Sequence, residues 1–206
     1  MDWVRWHSAY ADPASSLSQR LLAVQAQIRA ALTAAPAGPI PVVSMCAGEG
    51  RDLLGVLADH PRAADVSARL VELDPVLCES ARVAAEPLPS RVEVVTADAG
   101  WTDPYVGAVP ARLALFCGVF GNISDVDVAA TVAAAPSFVA PGGMVVWTRH
   151  RGAPDLVPQI CEWFESAGFE QVFVSPRDAR FGLGVHRFVG AARPLVAGHR
   201  LFAFQR

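Results

Sequence analysis

The 206-residue sequence contains no lysine: all 17 of its basic residues are arginine. A lysine nucleophile or Schiff base is therefore excluded. The chain also has no basic run, and against 20 acidic residues its formal charge is -3. A phosphate backbone demands cations clustered along one face, so no nucleic-acid partner is expected. The four cysteines, Cys46, Cys78, Cys117 and Cys161, form no CxxC pair and have no histidine at ligand spacing, so no metal site is expected. Scattered, buried thiols in a reducing compartment are the expectation instead. A membrane span needs roughly 20 uninterrupted apolar residues. The stretch from Val126 to Trp147 is broken by Asp127, Pro136, Pro141 and two glycines, so no membrane partner is expected. The opening Met1-Asp2-Trp3-Val4-Arg5 lacks the basic and apolar segments of a secretion signal, which makes the cytoplasm the expected location.

What is present is a composition 52% hydrophobic and 18% charged, enough to bury one substantial core in one compact domain. The arginine and alanine bias reads as coding preference and suggests specialised bacterial metabolism. Trp3, Trp6, His7 and Tyr10 recur at i, i+3, i+4 and i+7, an aromatic stripe along a short helix. A second helix begins near Ser16, where Ser16-Leu17-Ser18-Gln19 fits a capping box, and carries Leu17, Leu21, Val24, Ile28 and Leu32 on one face. It stops at Ala35-Pro36-Ala37-Gly38-Pro39. Residues 1–39 thus read as an N-terminal helical extension or lid, and residues 40–206 as the main domain. From residue 40, short apolar runs alternate with helical stretches, the pattern of βαβ units around a parallel sheet. Strands are expected at about 40–45, 69–73, 92–96, 112–117 and 143–148. A helix near 155–167 precedes two closing strands, at 171–174 and 184–189.

Three segments carry chemistry. In the first, the apolar run ending at Met45 is followed by Cys46-Ala47-Gly48-Glu49-Gly50 and a helix beginning near Arg51. Gly48 and Gly50 supply permissive dihedrals and bare Cα surface, and the helix start exposes amide donors to a polar or anionic group. A dinucleotide fingerprint requires glycine or alanine three positions after Gly50, where Leu53 stands, so an NAD(P)-dependent oxidoreductase is disfavoured. In the second, Leu70-Val71-Glu72-Leu73-Asp74-Pro75, a strand ends in a carboxylate 24 positions after Gly50. At the carboxyl edge of an open sheet, Asp74 can accept hydrogen bonds from a ribose diol, cap the helix that Pro75 begins, or do both. The third, Val94-Val95-Thr96-Ala97-Asp98-Ala99, repeats the pattern 24 positions later. Asp98 there is either an acceptor for an adenine amine or a turn cap.

In this order and spacing the segments resemble the signature of class I S-adenosylmethionine (SAM) dependent methyltransferases, as does Pro141-Gly142-Gly143 before the fifth strand. The resemblance covers roughly residues 40–190. It implies an α/β, doubly wound, Rossmann-like sheet of seven mostly parallel strands ordered 3-2-1-4-5-7-6, with the last strand antiparallel and N-terminal helices added. It further implies SAM as cofactor, S-adenosylhomocysteine as product, and cofactor contacts from Cys46, Ala47, Gly48, Glu49, Gly50, Asp74, Pro75, Asp98, Ala99, Cys117 and Gly118. The Cys46-Ala47 pair and the extra charge of Glu49 depart from the commoner pattern, and Glu49 is a candidate to receive the SAM ammonium.

Beyond the fourth strand, Cys117-Gly118-Val119-Phe120-Gly121-Asn122 lacks the Asn/Asp-Pro-Pro-aromatic sequence of amino-methylating enzymes, and no Pro-Cys dipeptide presents a cysteine nucleophile. A small-molecule acceptor is therefore expected. Asn122 either orients it or belongs to a turn. After the fifth strand, His150 is the candidate catalytic base, and Arg149 and Arg151 are candidates to clamp an anionic acceptor. Tyr10 is a candidate substrate contact from the aromatic stripe. The expected activity is in-line methyl transfer to a small molecule, with a non-catalytic SAM-binding regulator or assembly factor as the alternative. Nothing in the sequence sets the oligomeric state.

Overall fold

The computed structural model describes residues 15–205 of the chain. The aromatic stripe and Tyr10 lie outside the described residues. A seven-stranded sheet has the order β3-β2-β1-β4-β5-β7-β6. Its strands are β1 (Ile40–Met45), β2 (Val66–Glu72), β3 (Arg91–Thr96), β4 (Ala111–Phe116), β5 (Val139–His150), β6 (Phe169–Val174) and β7 (Phe181–Phe188). The first five pair in parallel, and β7 runs antiparallel to both β5 and β6. The expected order and the single reversed strand are both present.

Among the described residues five α-helices flank the sheet: α1 (Ser16–Ala34), α2 (Arg51–Leu57), α3 (Pro75–Ala85), α4 (Asp125–Ala134) and α5 (Val157–Ser166). Side-chain caps start three of them, α1, α3 and α4. The Ser124 side chain accepts from Asp127 N at the start of α4, where Asp125 and Asp127 also oppose the positive end of the helix dipole. The cap of α1 is Ser15, whose Oγ accepts from Ser18 N at 3.1 Å, one position earlier than the expected box. Ser16 therefore stands inside the helix, and Gln19 is not the reciprocal partner. Along α1, Leu17, Val24, Ile28 and Leu32 are buried as the periodicity requires.

Two cores lie on the two faces of the sheet. One is aromatic, built around Phe116, Phe120, Phe138, Trp147, Phe164 and Phe202. The other is aliphatic, with Ile28 and Leu32 of α1 and Leu53 and Leu57 of α2 packed on Ile40, Leu70 and Leu115. Covered on both sides, β1 and β4 can be apolar at nearly every position. The strand order reverses between β1 and β4, and a doubly wound sheet opens its ligand crevice at such a switch point, outside the carboxyl ends of the strands. Pro141-Gly142-Gly143 lies within β5, at a register shift between Ala111 and Leu113 of the neighbouring strand.

Candidate functional site

A cavity of about 300 Å³ opens at that crevice. The turn after β1 forms its floor. Cys46 and Gly48 both have left-handed backbones, with φ 51° and 55°, and Ala47 N donates to Val71 O, tying the turn to the end of β2. Cys46, Ala47, Gly48 and Glu49 line the cavity. Gly50 does not. A Cβ built on Gly50 falls 2.7 Å from Leu70 Cδ2 and 2.8 Å from Leu54 Cδ1, so the bareness of this glycine, at φ 70°, lets the turn pack down on the sheet.

The sequence reading missed Glu72, the last residue of β2. Its Oε2 accepts from Gly48 N at 2.8 Å, and its Oε1 accepts from Leu73 N at 2.8 Å and Asp74 N at 3.0 Å. One carboxylate thus joins the glycine turn to the entrance of α3. The available signal was an acid at the carboxyl end of an otherwise apolar strand, two residues before the one chosen. Asp74 caps α3 through Oδ1, which accepts from Val76 N at 2.8 Å and Leu77 N at 3.4 Å, and it also lines the cavity. Pro75 occupies the first turn of α3 and is not part of the lining. Asp98 takes Gly100 N on Oδ1 at 2.9 Å and Arg200 on Oδ2 at 3.2 Å, and it lines the cavity beside Ala99.

Cys117 and Gly118 close the side beneath β4, where Gly118 N donates to Thr148 Oγ1 at 2.9 Å. Burial pushes both cavity thiols well above their ordinary range. Glu72 and Asp98 add to the effect at Cys46, and Asp52 adds to it at Cys117. Both stay protonated at neutral pH and are poor nucleophiles. Arg20, Leu21 and Val24 of α1 form the opposite wall with Asp52. Burial also raises the Asp52 carboxyl, opposed by a 2.8 Å hydrogen bond from Leu53 N and by the charge of Arg20.

The structure corrects the acceptor-side candidates at the end of β5. His150 is exposed and outside the cavity lining. Its Nδ1 accepts from Gly152 N at 3.0 Å, and its Cδ2 sits beside Gly121. Arg149 is buried, bound to Phe120 O and, at 3.0 Å, to Asp125. Arg151 pairs with Asp155 at 2.6 Å and donates to Ser175 O at 2.8 Å. Both guanidinium groups are thus committed to tying loops to the fold, and neither lines the cavity. Asn122 does line it, although its amide donates back to Gly118 O at 2.7 Å as turn chemistry. The charged lining is mostly acidic: Glu49, Asp52, Glu72, Asp74 and Asp98 against Arg20 and Arg51, with Arg51 paired to Glu49. That balance suits a neutral or cationic ligand and opposes an anionic one.

Among the described residues, no group of histidine, cysteine and acid side chains can hold a metal ion, and no helix is long and apolar enough to cross a membrane. No protein-family model matches the chain, and no curated protein matches it. Solved structures do share its architecture. An O-methyltransferase family protein from Burkholderia thailandensis aligns at TM-score 0.66 and 18% identity, over 84% of this chain and 56% of that one. This chain therefore spans little more than half the length of that protein. The 1,6-didemethyltoxoflavin-N1-methyltransferase of the same organism, with bound 1,6-didemethyltoxoflavin and S-adenosylhomocysteine, aligns at TM-score 0.64 and 18% identity over 91% and 87%. Magnesium protoporphyrin IX methyltransferase from Synechocystis, with bound S-adenosylhomocysteine, aligns at 0.65 and 12% over 90% and 94%. With its strand order and single reversed strand, this chain has the class I SAM-dependent methyltransferase fold.

Proposed function

We propose that the protein is a SAM-dependent methyltransferase acting on a small molecule. The observation that carries the reading is the convergence of the glycine turn, the Glu72 and Asp74 carboxylates and Asp98 on one cavity at the switch point. Fold alone does not imply function, so the weight rests on these groups. Their chemistry fits the cofactor: acids for hydroxyl and amine donors, backbone amides at a helix start, and an acidic surround for a sulfonium. The bound ligands of the two neighbours that hold S-adenosylhomocysteine lend support.

Bound SAM supplies an activated methyl group on a positively charged sulfur. Asp74 and the remaining acceptor capacity of Glu72 would hold the ribose hydroxyls, and Asp98 with the Ala99 backbone would hold the adenine edge. The turn at Cys46–Glu49, with Cys117 and Gly118, would hold the amino-acid end. Leu21, Val24 and Asn122 shape the acceptor side and exclude water there. Holding two reactants in line contributes roughly 7–11 kcal/mol to such a transfer. Asp52 takes the place of His150 as the group that accepts a proton from a hydroxyl or amine acceptor, because it lies in the cavity and burial makes its carboxylate more basic than an ordinary aspartate.

Calorimetric titration with SAM and with S-adenosylhomocysteine tests the cofactor half, with NAD(P) as the control ligand. Incubation with labelled SAM and a metabolite extract tests the reaction. Formation of S-adenosylhomocysteine at a turnover rate is expected, whereas binding without turnover would identify a SAM-binding regulator.

A further inference from the structure

Two helices set the acceptor end of the cavity. α1 lies beside the first turn of α2, where Gln25 Nε2 donates to Arg51 O at 2.8 Å. Gly55 makes room for that contact, since a Cβ there falls 2.6 Å from Gln25 Nε2. Val24 precedes Gln25 on α1 and Asp52 follows Arg51 on α2, and both line the cavity together with Leu21 and Cys117. Val24, Leu53 and Cys117 pack on the aliphatic side of the sheet, whereas Cys46 and Ala99 pack on the aromatic side. The thiols divide the charges in the same way: Cys117 feels Asp52 and Arg20, and Cys46 feels Glu72 and Asp98. Asp52 therefore stands apart from the acids assigned to the ribose and the adenine.

The partners of the charged groups decide what this end can receive. Leu53 N donates to Asp52 Oδ1 at 2.8 Å, and among the described residues no side chain bonds the Asp52 carboxylate. The arginines near the carboxyl edge are engaged: Arg51 pairs with Glu49, Arg149 with Asp125 and Arg151 with Asp155, and Arg20 is not free either. None is left to receive a carboxylate or phosphate. SAM brings one net positive charge to a lining of five carboxylates and two guanidinium groups, so the filled cavity stays negative. A second anion about 5 Å from a partly buried carboxylate loses roughly a hundredfold in affinity by repulsion. Leu21 and Val24 offer the rest of an acceptor an apolar wall, and the Cys117 thiol adds no charge at neutral pH.

We propose that the acceptor is an apolar small molecule that bears a hydroxyl or an amine and no anionic group, with its O–H or N–H donating to Asp52. The inference rests on the methyltransferase reading. In the transfer, the lone pair of that oxygen or nitrogen bonds to the methyl carbon, the carbon–sulfur electron pair stays on sulfur, and the O–H or N–H proton passes to Asp52. Three probes share a phenol and differ in side-chain charge: 4-hydroxybenzyl alcohol, tyramine and 4-hydroxyphenylacetate. Titrated by NMR into protein saturated with S-adenosylhomocysteine, the anion is expected to bind at least tenfold more weakly than the other two. Asp52→Asn should bring all three within threefold of one another, and Asp52→Glu, which keeps the charge, should preserve the separation. A merely structural Asp52 shifts the melting temperature and leaves the ranking of the probes unchanged. Labelled product should form from the neutral and cationic pools of a metabolite extract divided by ion exchange. A smaller separation in the unaltered protein, a separation that survives Asp52→Asn, or labelled product from the anionic pool overturns this inference alone. Failure of the unaltered protein to bind S-adenosylhomocysteine overturns the methyltransferase reading and this inference with it.

Discussion

His186 makes the stability of this fold depend on pH. Its ring is buried in β7, stacked on Phe164 at 4.7 Å and on Trp147 at 6.0 Å, and its Nδ1 accepts from Trp147 Nε1 at 3.0 Å. The neutral ring therefore carries its proton on Nε2, which has no partner among the described residues. A second proton must enter at Nδ1, already opposed by the indole N–H, in a fully buried ring. Burial accordingly lowers the pKa to about 4 from the ordinary 6.5. The folded value lies below the unfolded one, so the unfolded chain binds the proton first as pH falls. The neutral ring's advantage is intact above about pH 6.5 and is lost progressively down to about pH 4. From pH 8 to pH 5 the loss comes to about 2 kcal/mol, and it reaches about 3 kcal/mol when the shift is fully expressed. Urea unfolding at both pH values, for the unaltered protein and for His186→Phe, isolates this contribution, because the other titrating groups act in both chains. The variant is expected to lose about 2 kcal/mol less between the two pH values. Parallel stability curves would refute the argument, whatever the absolute stability of the variant.

Other expectations concern the site and the core. Asp74→Asn should weaken S-adenosylhomocysteine binding tenfold or more by calorimetry, since hydrogen bonds to a charged group contribute about 1.5–3 kcal/mol. Glu72→Gln should weaken it further by turning an amide donor against Gly48 N–H and opening the floor of the cavity. Asp52→Asn should remove turnover while leaving S-adenosylhomocysteine affinity within twofold, whereas His150→Ala should change neither. Reversal of that pair would restore His150 as the base. Gly184→Ala brings a Cβ to 2.3 Å from the Trp147 indole and should cost about 1–3 kcal/mol by overpacking, read as a fall in the urea midpoint.

The five parallel strands were legible because each is a short apolar run in a sheet covered on both faces. Their ends were less so. Val66-Ser67-Ala68 extends β2 toward its start by pairing with β1 and β3, which the run itself does not signal. Pro141-Gly142-Gly143 read as a turn, yet β5 absorbs it at a register shift that only the neighbouring strand reveals. The glycine turn and Asp98 were legible because their spacing is local to single strand-to-helix units. Choosing between Glu72 and Asp74 required knowing which carboxylate meets Gly48 N. His150 and its arginines were misplaced because position after a strand does not say whether a side chain faces the cavity, a loop carbonyl or solvent. The C-terminal contacts were out of reach, since they join residue 201 to residue 100 and residue 205 to residue 122.

The order 5-7-6 also means that the sheet cannot be completed in the order in which the ribosome makes it. When β5 emerges, its outer edge has no partner, and Val145, Val146 and Trp147, wholly buried at the end, lack part of their cover. β6 cannot supply it, because its place is one strand further out. Only when β7 follows can the hairpin dock and satisfy the open backbone. Until then the nascent chain displays an unpaired apolar strand, the state in which a neighbouring polypeptide can add to it and misassemble.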